Sequence, residues 1–166
     1  MLNQSDFSSR IGVRAVGAGI LVSFTVMVLM LSLIAALGLF NFYLDEMAMA
    51  GPSFWMAIAA AWALSMLSGG FVAGLACRPQ TKTEGILNAV CANCGFYLLF
   101  GVVALFLTPR VIVSLFTMAT PQLFLRGFLV DLICFIIGAY GGIMAVNFEK
   151  HAIHPFHNKK RHFVAT

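Results

Sequence analysis

Apolar positions in this chain gather into four long runs rather than alternating with polar ones. No charged residue falls between Ala15 and Leu44, between Met47 and Cys77, or between Gly85 and Pro109, and a shorter uncharged run covers Leu132 to Phe148. A helix rises about 1.5 Å per residue, so about 20 apolar residues cross the hydrocarbon layer. The pattern predicts spans over about residues 15–40, 54–77, 86–108 and 127–147. The expected fold is an all-α integral membrane protein, a four-transmembrane-helix bundle with short loops. It is a single membrane domain over 1–166, ending in a basic, His-rich cytoplasmic tail at 148–166. The first run exceeds the h-region of about 7–15 residues expected of a signal peptide, which makes it a permanent anchor. Val111 to Leu125 is too short for a fifth crossing.

Ring-bearing and turn-forming residues mark where the runs should end. Phe40, Phe42 and Tyr43 close the first and Phe54 and Trp55 open the second, at the headgroup level that amphipathic rings favour, with Asn41 and Pro52 bracketing the turn. Thr108-Pro109 and Thr120-Pro121 each read as an N-cap followed by proline at the first helical position. Between them, Pro109 to Ala119 is either a short interfacial helix, with Val111, Ile112, Leu115, Phe116 and Met118 as its apolar contacts, or an apolar connector.

Charge sets the orientation. With four spans, Arg10, Arg14, Arg78, Lys82, Lys150, Lys159, Lys160 and Arg161 share one side, and only Arg110 and Arg126 lie on the other, with Asp45 and Glu46. The positive-inside rule then places both termini in the cytoplasm, in the plasma (inner) membrane of a bacterial cell. Hydrophobic residues make up 61% of the chain and charged ones 10%, so the net charge of +4 sits beside the spans, not on a soluble face. The expected contacts are the lipid bilayer, other membrane proteins or a second copy, and no nucleic acid.

Helices in lipid associate through small residues that let backbones approach. The second span carries Ser65, Ser68, Gly69, Gly70, Ala73 and Gly74, with Gly70 and Gly74 forming a GxxxG step. Gly138, Gly141, Gly142 and Ala145 line the fourth, with Gly138 and Gly142 forming another. These surfaces serve either internal packing or contact with another subunit. Gly69-Gly70-Phe71-Val72-Ala73 also aligns with Gly141-Gly142-Ile143-Met144-Ala145, as two repeated helical hairpins would require. Over residues 65–95 the arrangement of a Ser-Gly-Gly-x-x-Ala-Gly span end, a short basic loop and a Gly-led span resembles small four-helix bacterial membrane proteins, a resemblance that implies no activity.

Candidate chemistry is sparse. Cys91 and Cys94 form a CxxC pair one helical turn apart, a redox or soft-metal spacing, with Cys77 ending the preceding span. Their expected place near the cytoplasmic end of span three favours small packing thiols, because the cytosol keeps them reduced. Cys134 is the one cysteine nearer the outer leaflet. Asn88 and Asn93 are polar groups within span three, Asn88 sharing a stripe with Cys91 and Gly95. Either inter-helix hydrogen bonding or the lining of a hydrated path would account for Asn88.

Asp131 is the single acid inside a predicted span, where a central carboxylate costs about 2.5–3.5 kcal/mol. Were the span to start at Gly127, Asp131 would reach the headgroups near Arg126 and serve interfacial ion pairing or inter-helix hydrogen bonding; entry at Pro121 would set it near the midplane and favour a proton or cation role. His151, His154 and His157 are weak metal-ligand candidates, because Pro155 should break the helix that would align them. No cofactor is implied, and no nucleophile–base pair or phosphate loop is present. The leading expectation is a non-catalytic polytopic membrane subunit: a scaffold, assembly or accessory component of a larger envelope complex. The alternatives are a small oligomeric transporter or channel using Asp131, and a thiol redox membrane enzyme using Cys91 and Cys94.

Overall fold

In a computed structural model, residues 11–37, 52–77, 81–107 and 121–162 are described. They form four α-helices and no strand: α1 Val13–Ala36, α2 Pro52–Ala76, α3 Lys82–Leu107 and α4 Pro121–His162. Each contains a stretch long and apolar enough to cross a membrane, over Val13–Ala36, Phe54–Ala76, Lys82–Phe106 and Leu125–Glu149. The chain therefore has the form of a multi-pass membrane protein.

The helix ends differ from the apolar runs for identifiable reasons. α3 begins at Lys82, ahead of the expected 86, because the Thr81 hydroxyl accepts from the Glu84 N–H (3.3 Å) and caps the first turn. With Glu84 three residues on, Thr-x-x-Glu is the sequence of a capping box. α4 begins at Pro121, ahead of its apolar span at Leu125, consistent with proline's tolerance at a first helical position. It also continues to His162, so Pro155 does not end it. Proline removes one backbone hydrogen bond, and the carbonyl freed here lies beyond the apolar span, where water can satisfy it. The rings at 40–43, the Asp45–Glu46 pair and the Pro109–Ala119 segment lie outside the described residues.

α2 and α3 form the central pair, each touching the other three helices, with α1 and α4 on opposite flanks. Two kinds of packing divide the bundle. Toward the end that holds the start of α1, the α2–α3 turn and the end of the α4 span (the tail end), backbones meet directly. A Cβ on Gly70 would collide with the Gly138 carbonyl, one on Gly85 would fall 2.7 Å from the Gly142 oxygen, and one on Gly69 would overlap the Ser23 hydroxyl. α1 supplies the matching stripe at four-residue intervals, Ala15, Gly19 and Ser23 before Met27, all buried.

Toward the other end (the far end), side chains hold the backbones apart. Met27, Ile34, Ala61, Met66, Phe96 and Cys134 form the core there, with Trp62, Tyr97, Phe100 and Phe135 packed against it. Hydroxyls inside the helices bond back to their own turns: Ser65 donates to the Ala61 carbonyl (2.7 Å), Thr25 to Leu21 and Ser32 to Val28 (both 2.8 Å). Such bonds remove donors that lipid cannot satisfy.

Candidate functional site

The far half of the bundle carries a polar chain across three helices. On α3, Asn93, Phe96, Tyr97 and Phe100 follow helical spacing and share one face. Trp62 of α2 lies against this face, its ring centroid 4.8 Å from that of Phe100, 5.3 Å from Tyr97 and 5.4 Å from Phe96. Its indole N–H donates to the Tyr97 hydroxyl oxygen at 2.9 Å. With that lone pair engaged, the hydroxyl is left to donate, and the Asp131 carboxylate of α4 is its neighbouring acceptor. Phe135, one turn along α4, stacks on Tyr97 with centroids 6.3 Å apart.

Asp131 lies about 9 Å beyond Leu125, where the apolar span begins, and about 15 Å beyond the start of α4. No ion pair joins it to Arg126; its neighbours across and along the bundle are Tyr97 of α3 and Cys134 of α4. By helical spacing it belongs to the stripe of Cys134, Gly138, Gly142 and Ala145, which faces the bundle. Those four residues are buried, whereas every residue from Leu125 to Ile133 is exposed, so α4 stands clear of its neighbours where Asp131 projects.

The second polar site on α3 is Asn93. It is fully buried, sits against Gly138, and neither its amide nitrogen nor its oxygen has a hydrogen-bond partner. The Ser23 hydroxyl is likewise buried and unpaired. Asn88, also fully buried, is fully employed: its Oδ1 accepts from the Gly12 N–H (2.9 Å) and its Nδ2 donates to the Glu84 carbonyl (2.9 Å). Gly12 is the N-cap of α1 and has no side chain to cap with, so Asn88 satisfies an orphan helix-start donor from another span.

The remaining candidates are distributed elsewhere. Gly69, Gly70, Ala73, Gly74, Gly138, Gly141 and Gly142 are all buried between helices of this chain. Cys91 and Cys94 are adjacent on α3, Cys94 exposed and Cys91 half-buried, both as free thiols. Cys91 lies about 14 Å along α3 from its start at Lys82. Cys77, just past α2, is held above the ordinary thiol range by burial and then by the nearby Glu84 and Glu149 carboxylates. No cluster of His, Cys, Asp or Glu suited to a metal occurs among the described residues. His151 Nδ1 lies 2.8 Å from the Asn147 carbonyl, and the side chains of His154 and His157 lie outside the described residues.

Trp62 and Tyr97 are the site residues that sequence reading passes over, because both count as apolar in a hydropathy pattern. The signal lay in their depth: an indole N–H and a phenol well inside a span need partners that lipid cannot supply. No protein-family model, curated protein or solved structure matches the chain.

Proposed function

We propose that the chain is a non-catalytic polytopic subunit, a scaffold, assembly or accessory component of a larger complex in the plasma (inner) membrane of a bacterium, with both termini cytoplasmic. The observation that carries this reading is the exposed Asp131 carboxylate within the apolar span of α4. Facing lipid, that group would cost about 2.5–3.5 kcal/mol, while a protein neighbour removes the penalty. The small-residue faces are occupied inside the bundle and so are not open to a partner. Native purification in mild detergent tests the reading: a second polypeptide should co-purify at constant ratio through two orthogonal columns. A chain that always runs alone contradicts it.

The nearness of Asp131 to Tyr97 also supports a second reading, a small transporter or channel assembled from several copies. Flux in liposomes separates the two. A transporter loses proton or cation flux in Asp131→Asn, whereas a subunit shows no flux in either protein.

A further inference from the structure

We propose that the gap beside the far-end portion of α4 receives a transmembrane helix of a different protein, one carrying Lys or Arg at the depth of Asp131. The proposal rests on the subunit reading and names the chemistry of the partner.

The bundle-facing stripe of α4 is filled wherever neighbouring helices reach it. A Cβ on Gly138 would strike Asn93, one on Gly141 would lie 2.5 Å from the Leu67 carbonyl, and one on Gly142 would strike Gly85. One turn before Asp131 on the same stripe, Gly127 has nothing within 4 Å of its Cβ position. A glycine followed four residues later by an acid thus forms an open surface continuous with a packed one. Its breadth is apolar, with Phe128, Leu132 and Ile136 exposed alongside. A helix backbone can approach at Gly127, as those of α2 and α3 do at Gly138 and Gly142.

Charge decides which helix. An ionised carboxylate accepts at about four lone-pair positions, more than the single hydroxyl of the neighbouring Tyr97 can fill. The Trp62 N–H already bonds the Tyr97 oxygen, which leaves the Tyr97 hydroxyl a proton to offer the carboxylate. A guanidinium or ammonium satisfies the remaining positions and cancels the charge, and the half-buried rings of Tyr97 and Phe135 add faces that attract a cation. A second copy suits the surface less well. Copies sharing one membrane orientation and a two-fold axis along the normal hold their Asp131 residues at equal depth, acid toward acid.

The experiment places a photo-crosslinking phenylalanine analogue at position 128 in native membranes, with the same reporter at Leu21 on the opposite flank, and maps adducts by mass spectrometry. The expected adduct from 128 lies in a transmembrane segment of another protein, within one turn of a Lys or Arg. Asp131→Asn should cut its yield about tenfold or more, as loss of a charge pair in lipid implies, while Asp131→Glu retains it. Unchanged elution of each variant in detergent, and an unchanged Leu21 pattern, show that the bundle itself is intact. Adducts with lipid, with residues 108–120 of the same chain, with a second copy or with a segment lacking a basic residue overturn the proposal. So does a yield indifferent to Asp131→Asn. Protein adducts from Leu21 with none from 128 would remove this surface and leave the subunit reading standing; no protein adduct from either position would remove both.

Discussion

A polar side chain inside a lipid-embedded bundle is valuable or costly according to whether it finds a partner there, and the two asparagines of α3 sit on opposite sides of that line. Asn88 holds the Gly12 N–H and the Glu84 carbonyl, so Asn88→Ala leaves a helix-start donor unpaired. We expect a loss of about 1–3 kcal/mol, seen as a lower unfolding temperature in detergent. Asn93 makes no such bond. Asn93→Leu, close to it in shape, should be neutral or stabilising by up to about 3 kcal/mol in the same assay. Marked destabilisation would show instead that the amide serves a bound group. At this scale the sequence was informative where a polar atom interrupts an apolar run, as at Asn88, Asn93 and Asp131. It was silent at Trp62 and Tyr97, whose polar tips are carried on apolar rings, so the inter-helix neighbour of Asp131 could not be named from the sequence.

Elements were legible to the extent that apolarity defines them. The four helices follow from the four uncharged runs, but their ends follow from caps: Thr81 starts α3 before its apolar residues begin, and α4 outlasts its apolar residues because leaving the membrane does not oblige a helix to stop. Which small residues meet was not legible, since a GxxxG step has the same sequence whether it faces inward or outward. The contact geometry assigns Gly70 to the α2–α4 interface, against the Gly138 carbonyl, while Gly101 of α3 faces open space. Gly70→Val should therefore cost about 1–3 kcal/mol or prevent folding, because backbone on the far side cannot yield. Gly101→Ala should change stability by no more than about 0.5 kcal/mol. Equal effects at the two positions, measured by thermal unfolding in detergent, would place α2 and α4 differently.

Across the whole molecule, packing and charge are graded along the same axis. Backbones close on one another at the tail end, and large side chains separate them at the far end, where α4 stands off and its carboxylate is exposed. Among the described residues, Arg14, Lys82, Lys150, Lys159, Lys160 and Arg161 lie at or beyond the tail end and Arg126 toward the far end. The tightly packed end would then lie toward the cytoplasm and the open, acid-bearing end toward the outer leaflet. Four spans in that orientation are what every functional reading above depends upon. Labelling of single cysteines, introduced one at a time with the four native cysteines replaced, tests this most directly. In intact cells, Ala48→Cys should react with an impermeant thiol reagent, and Gln80→Cys and Lys160→Cys should react only after the membrane is opened, because the reverse orientation would export eight cations and retain two. Reaction at 80 and 160 with protection at 48 would invert the molecule, and reaction at 80 and 160 on opposite sides would contradict the four-span fold itself.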